Sequence, residues 1–448
     1  MDVPPYSESA RKVVHMAMGS FALVLRYIPW WQAAILAGVA LAFNLTVLPR
    51  VGRRLYRPHD HLQRFSLGIV LYPVSVLLLV LVFPGRLDIA AAAWGILAMG
   101  DGMATLLGKP FGRTRLPWNQ SKSVLGTCAF VIFGGVAGAF LAWWCRPAIV
   151  PPPYLWFSIG APFIAALAAA FAETIPIRLD DNVTVPWTAA GVLWSLSLVS
   201  EDLVSQLVHR GWTPFLVVIA FNVVVAYGGY RARTVTRAGA AGGCVIGIAI
   251  AASIGWSGWI LLFTTFLAAA LSSRLGLRRK TLLGIAEERG GRRGVGNAIA
   301  NTGFAAVAAL MSVLTYAHEH ALLACATALA AGGSDTIASE IGKAWGQRTY
   351  LVSTLKIVPP GTPGAMSAEG TAAGVAGACV LAGIAIALAI VPPSALLPIV
   401  IGATVGSLCE SLLGATLEGP GIVNNDVLNF LNTAIAAATA IVLARAFQ

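Results

Sequence analysis

Charge is the scarcest commodity in this chain: Asp, Glu, Lys and Arg make up 11% of its 448 residues, against about 25% in soluble domains. With 57% hydrophobic residues, that shortage excludes a soluble globule and points to a polytopic membrane protein from end to end. Acidic residues are scarcer still, 19 against 30 Lys and Arg, for a net charge of +11. A nucleic-acid binder gathers its basic residues on one soluble face. Here they punctuate apolar runs, the pattern of topology-setting loops, so no nucleic-acid partner is expected. The six cysteines, Cys128, Cys145, Cys244, Cys325, Cys379 and Cys409, stand singly without a Cys-x-x-Cys pair. This excludes a disulfide scaffold and a zinc site. The chain also lacks Gly-x4-Gly-Lys-Ser/Thr, so a Walker-type ATP site has no support. Met1–Lys12 contains Glu8 and lacks a signal peptide's basic start.

What is present is a succession of apolar runs, read as about fifteen spans at some 20 residues each. The fold class expected is all-α, a polytopic transmembrane helical bundle. With the N-terminus inside, the inner segments receive Arg50–Arg64, Lys109–Lys122, Arg231–Arg237, Arg274–Arg293 and Lys343–Lys356. Only Arg26, Arg86, Arg146, Arg210 and Arg445 fall outside, a strong positive-inside asymmetry. Localisation in a bacterial inner membrane, with the polar motifs on the cytoplasmic side, follows as the expectation.

One stretch breaks the hydrophobicity most sharply: Gly100 to Thr127, GDGMATLLGKPFGRTRLPWNQSKSVLGT. An Asp such as Asp101 in the last turns of an apolar helix is costly in lipid and marks a functional position. Gly102, Gly108 and Gly112 alternate with Lys109, Arg113, Arg115 and Lys122. That is the makeup of a loop that wraps phosphates with main-chain N–H groups. Lys122-Ser123-x-x-Gly126-Thr127 then opens the next run, with the positive end of a helix beside the loop. Helix-packing glycines in a basic cytoplasmic loop have the same composition.

The pattern recurs. Gly333-Ser-Asp335, Glu340, Gly342-Lys343-x-x-Gly346 and Ser367-x-x-Gly370-Thr371 echo Gly100-Asp101, Gly108-Lys109-x-x-Gly112 and Ser123-x-x-Gly126-Thr127. An internal repeat is the expected origin, giving two parallel related halves, 1–205 and 212–448. Arg11-Lys12-x-x-His15 and Gly290-Gly291-Arg292-Arg293 precede comparable spans.

A third element is Glu173 with Asp180-Asp181-Asn182, an oxygen-rich site suited to Mg²⁺ or, more simply, caps and a turn. Its counterparts are Glu410, Glu418 and Asp426. Asn429, Asn432 and Thr433 are expected to face the bundle. His59-x-His61 and His318-x-His320 have the look of metal pairs but read better as interfacial loops.

On these motifs, residues 1 to about 200 resemble the CTP-dependent polyprenol kinases, the group with dolichol kinase and phytol kinase, more distantly related to phosphatidate cytidylyltransferase. Residues from about 212 to 448 resemble the membrane family labelled domain of unknown function 92, which includes phytyl phosphate kinase. The second likeness rests on Arg292-Arg293, Ser334 to Gly342, Pro360-Gly361-Thr362 through Thr371, and Glu410 to Gly414. Ile337 stands where an aromatic is usual, and Glu410 where Asp is common.

The resemblance implies a bifunctional kinase that converts phytol or a similar isoprenoid alcohol to its monophosphate and then its diphosphate, with CTP or a related nucleoside triphosphate and Mg²⁺. The implied catalytic residues are Asp101, Lys122, Asp181, Asp335 and Glu410. Mg²⁺ falls to Asp101, Glu173, Asp180, Asp181 and Asn182 in the first half, and to Asp335, Glu340, Glu410 and Asp426 in the second. Phosphate contacts fall to Arg11, Lys12, Gly108, Lys109, Gly112, Ser123, Gly126 and Thr127 in the first half. In the second they fall to Arg292, Arg293, Gly342, Lys343, Gly361, Thr362, Ser367, Gly370 and Thr371, with Lys356 as a further cation. A cytidylyltransferase making a CDP-lipid remains an alternative, separated by its pyrophosphate product, as does a lipid transporter, separated by access from outside.

Overall fold

A computed structural model describes residues 8–51, 66–209, 213–285 and 292–447; His59, His61, Gly290 and Gly291 lie outside them. The chain divides into two compact units, Met1–Leu198 and Val199–Gln448.

The first unit contains α1 (Glu8–Met18), α2 (Trp30–Thr46), α3 (Leu48–Val51), α4 (Leu67–Val82), α5 (Leu87–Gly95), α6 (Gly102–Phe111), α7 (Val124–Cys145), α8 (Leu155–Thr174) and α9 (Asp181–Ser197). The second contains α10 (Glu201–His209), α11 (Thr213–Arg231), α12 (Arg237–Ile254), α13 (Trp256–Arg274), α14 (Leu277–Leu282), α15 (Val295–Leu314), α16 (His318–Trp345), α17 (Ala368–Ala387), α18 (Leu396–Leu413) and α19 (Asn425–Ala446).

Among the described residues, ten helices are long and apolar enough to cross a membrane, or up to eleven if α9 and α10 form one broken span. Three more apolar helices are shorter: Trp30–Thr46, Leu67–Val82 and Phe215–Arg231. The count falls short of about fifteen because several apolar runs are too short or interrupted. The span expected near residue 20 is α1 followed by a 3₁₀ stretch, Gly19–Arg26.

Each unit is built around one enclosed helix rich in small residues. In the first, α5 runs on through π-helical backbone at Ile96–Asp101 into α6. In the second, α16 is buried without a break from Leu323 to Ser334. Alanine and glycine on every side let neighbouring backbones approach closely, the usual way membrane helices pack. Asp101 closes the π-helical stretch inside the first of these central helices, and Asp335 follows the buried run of the second.

Two short hairpins modify the all-helical expectation. β1 (Arg115–Leu116) pairs antiparallel with β2 (Asn119–Ser123), and β3 (Thr349–Leu351) with β4 (Ala365–Ser367). Each hands its last residue to a helix as the N-cap: Ser123 Oγ accepts from Gly126 N at 3.2 Å, and Ser367 Oγ from Gly370 N at 3.1 Å. Such a cap satisfies an N–H that the first helical turn leaves open.

Candidate functional site

The first half of the passage from Gly100 to Thr127 is not loop. Gly102–Phe111 is helix, and Gly108 packs on Gly126: a Cβ built at Gly108 would lie 2.9 Å from the Gly126 Cα. Gly112 backs onto Ser123, whose Oγ would be 2.2 Å from such a Cβ. The hydroxyls are also engaged. Ser123 Oγ donates to the Gly108 carbonyl at 3.3 Å, and Thr127 Oγ1 to the Ser123 carbonyl at 3.1 Å. Lys109 is exposed and pairs with Glu8.

What converges instead is long-range. Asp101, Glu173 and Asp181 each bring a carboxylate oxygen within 4.8 Å of the other two. They come from the π-helical stretch of the central helix, the end of α8 and the start of α9. Asp101 forms a buried ion pair with Lys12 of α1 and lies 3.5 Å from His15 Nε2. Gly102 allows this, because a Cβ there would lie 2.3 Å from Met16 Cγ and push α1 away. Glu173 is held by Lys122 at 2.6 Å. Asp180 caps α9 by accepting from Asn182 N at 2.9 Å. Asn182 also donates from Nδ2 to Asp180 Oδ1 at 2.7 Å and to the Gly68 carbonyl at 3.1 Å. A Cβ at Gly68 would meet both Asp180 Oδ2, at 3.1 Å, and an Arg11 guanidinium nitrogen, at 3.7 Å, so Arg11 belongs to the same neighbourhood.

Electrostatics follow from this crowding. Burial pulls the Lys122 ammonium down, but Glu173, then Asp181 and Asp101, more than offset it and hold it above its ordinary value. Burial lowers the His15 imidazole to about 4 despite the pull of Asp101. His15 is therefore neutral at neutral pH, its ring set edge-on to Tyr72 at 4.6 Å between centroids. Three hard carboxylate oxygens suit a divalent cation that prefers oxygen ligands. The donor set gains a fourth candidate in Asn182 Oδ1, which is buried and accepts no hydrogen bond among the described residues.

The second unit repeats the framework but not the cluster. A Cβ at Gly370 would lie 3.1 Å from Gly342 Cα, one at Gly346 2.9 Å from Ser367 Oγ, and Thr371 Oγ1 donates to the Ser367 carbonyl at 2.9 Å. Asp335 accepts from Ser407 Oγ at 3.0 Å. Glu410 is within electrostatic reach of Asp335, Glu418 and Lys343. The expected four-carboxylate metal set does not assemble, since among the described residues only Asp101, Glu173 and Asp181 form such a group. Glu340 is drawn away into a buried pair with Lys280, with Lys343 at 3.4 Å. Asp426 sits instead against Gly296 at the start of α15, and Asn424 caps α19. Arg292 is exposed, whereas Arg293 contacts Asn297 Oδ1 at 3.2 Å. Gly361 has a φ of 85°, and Thr362 Oγ1 donates to the Pro359 carbonyl at 2.7 Å. Asn429, Asn432 and Thr433 are buried.

Sequence reasoning missed Lys280 and Ser407. Lys280 lies in a basic apolar stretch that reads as a juxtamembrane anchor, and one serine in an apolar helix carries no local signal. His318 and His320 serve structure: His318 Nδ1 lies 2.6 Å from the Ser312 carbonyl, and His320 Nε2 accepts from Arg445 at 3.2 Å.

Residues 220–437 match the family described as integral membrane protein DUF92. An uncharacterized membrane protein of Synechocystis sp. is 36% identical over 202 residues, 44% of this chain and 78% of that protein. The chloroplast protein VTE6 of Arabidopsis thaliana is 33% identical over 215 residues, 46% of this chain and 65% of that protein. A protein of Glycine max named probable phytol kinase 2, chloroplastic, is 30% identical over 205 residues, 44% of this chain and 68% of that protein. No solved structure matches.

Proposed function

Because the chain belongs to the integral membrane family DUF92, and a similar plant protein is named phytol kinase, we propose that it phosphorylates membrane-embedded isoprenoid alcohols. The first unit makes the monophosphate, and the second extends it to the diphosphate, with CTP as donor. The observation that carries this reading is the convergence of Asp101, Glu173 and Asp181 with Lys12 and Lys122 around the π-helical stretch of an apolar helix.

Phosphoryl transfer asks for positioning and for neutralisation of charge on the migrating group. Asp101, Glu173 and Asp181, with Asn182 next in sequence, would hold Mg²⁺, which would supply part of that neutralisation when bound. Lys12 and Lys122, the ammonium groups paired with Asp101 and Glu173, supply the rest. The prenol oxygen bonds to the terminal phosphorus as the bridging P–O bond breaks and the nucleoside diphosphate leaves. A carboxylate of the cluster takes the hydroxyl proton. The prenyl tail stays among the helices while the nucleotide arrives from water on the cytoplasmic side. That geometry gives a kinase built of membrane spans its physical rationale.

In the second unit the acceptor is already anionic, so cations dominate. Lys343 lies within electrostatic reach of Asp335, Glu410 and Glu418, and Arg292, Arg293 and Lys356 are assigned as the further cations. The likeness of the Gly108/Gly126 and Gly342/Gly370 packing supports an internal repeat.

The test is incubation of the purified protein with radiolabelled geranylgeraniol or phytol, Mg²⁺ and each nucleoside triphosphate in turn, with chromatography of the lipids. Monophosphate followed by diphosphate, strongest with CTP, is expected. No phosphorylated prenol with any nucleotide overturns the reading, and pyrophosphate release with a CDP-lipid replaces it.

A further inference from the structure

The second unit contains a cavity of ≈ 330 Å³ between α11, α12, α13 and α15. It is separate from the Asp335 recess, which Ser407 and Thr371 line. We infer that this cavity seats the hydrocarbon chain of a singly phosphorylated isoprenoid lipid, with its phosphate at Arg293. The inference deepens the reading of the second unit as a prenyl phosphate kinase and rests on it.

The lining is two-faced. Ile246, Trp259, Phe263 and Phe266 give it an apolar and aromatic wall. Facing them, Asn297 and Asn301 lie about one turn apart on α15, and Arg293 stands just before that helix, on the far side of its N-cap Gly294. Arg293 is oriented by Asn297 Oδ1 at 3.2 Å, the Ala269 carbonyl at 3.3 Å and Ser273 Oγ at 3.4 Å. A guanidinium at one end of an apolar chamber selects an amphiphile with an anionic head, and phosphate suits its forked donors. The volume lies at the low end of the ~300–1,000 Å³ common for small-molecule sites, which suits one chain rather than a two-chain phospholipid.

Position supports the same ligand. Gly332 of α16 closes the cavity against Asn301, where a Cβ would lie 2.5 Å from the Asn301 carbonyl oxygen. Asp335 follows about one turn later. Thr315–Ala317 is all that joins α15 to α16, so the two run antiparallel. That turn carries α16 back toward the start of α15, so with Gly332 against Asn301, Asp335 comes about level with Asn297, whose Oδ1 holds Arg293.

The experiment is equilibrium binding of radiolabelled geranylgeranyl monophosphate to the full chain in phosphatidylcholine nanodiscs, without nucleotide, so that a catalytic defect cannot imitate a binding one. A Cβ at Gly243 or Gly228, both in the lining, meets nothing within 4 Å, so a larger side chain is accommodated at the cavity wall without displacing a neighbour. Gly243→Phe and Gly228→Phe are expected to weaken binding at least about tenfold. Gly160→Phe, also in open space but in the first unit, leaves it unchanged. Unlabelled prenyl phosphate displaces the probe well below the concentration at which phosphatidylglycerol or inorganic phosphate does. Wild-type affinity in both filled variants, or equal displacement by phosphatidylglycerol, overturns the assignment. If the lipid binds in this way yet no nucleotide converts it, the pocket stands and the kinase reading of the second unit falls.

Discussion

Lys122 Nζ lies 2.6 Å from Glu173 Oε1, joining the last strand of the first hairpin to the end of α8 across 51 residues of chain. The pair fixes the hairpin over the carboxylate cluster and leaves Lys122 partly open to water, its side chain 35% exposed against 8% for Glu173. Lys122→Gln is expected to lower prenol phosphorylation by roughly 10²–10³-fold, the scale for losing one group that meets transition-state charge. Lys122→Arg should recover part of it. Initial rates at saturating nucleotide check this, and an unchanged rate for Lys122→Gln would remove the residue from the site.

The two carboxylates carried by the central helices, Asp101 and Asp335, should separate the two steps. Asp101→Asn is expected to abolish formation of the monophosphate while sparing conversion of supplied prenyl monophosphate to diphosphate. Asp335→Asn is expected to do the reverse. Lipid products resolved after single and mixed incubations decide it, and loss of both steps in either variant would contradict two independent sites.

Glu340 behaves as a structural acid in its pairing with Lys280, whose side chain is 1% exposed. Removing one partner of a buried pair costs about 3–5 kcal/mol, whereas replacing both with apolar groups is often neutral. Lys280→Met should therefore destabilise the second unit strongly, and Lys280→Met with Glu340→Leu should restore most of the loss. Thermal unfolding in detergent reads both. A double variant no better than the single would return Glu340 to the functional residues.

His15 sets an acid limit. Its folded-state value of about 4 lies below its ordinary value of 6.5, so below pH 6.5 the unfolded chain binds the proton more readily than the folded one. The stabilisation is complete above pH 6.5 and is lost as pH falls to about 4, with a full span of about 3 kcal/mol. In chelator, the slope of stability with pH in this window should flatten in His15→Asn.

Close helix contact can be tested within one helix. At Gly370 an added Cβ would lie 2.6 Å from the Ala338 carbonyl oxygen, while at Gly383, also in α17, it meets nothing within 4 Å. Gly370→Ala should cost about 1–3 kcal/mol through overpacking. Gly383→Ala should be neutral or gain up to ~1 kcal/mol from helix propensity. Melting temperatures of the two variants make the comparison.

The sequence by itself determined that this is a helical membrane protein and where its polar chemistry lies. A charged residue within an apolar run is costly enough that Asp101, Glu173 and Asp335 stand out without any coordinates. It also marked the starts of α7 and α17, because Ser-x-x-Gly-Thr before an apolar run is a local capping signal. Only the tertiary structure decided which polar groups meet. It spent Ser123 and Ser367 on caps and Gly108 and Gly342 on helix contact, gave Glu340 to Lys280, and brought Glu173 and Asp181 to Asp101. It also opened the chamber beside Arg293. Capping and hydrophobicity act over a few residues and can be read along the chain, whereas ion pairs, metal-ligand sets and cavities depend on which distant helices pack together, and nearly every helix here is apolar enough to pack against any other.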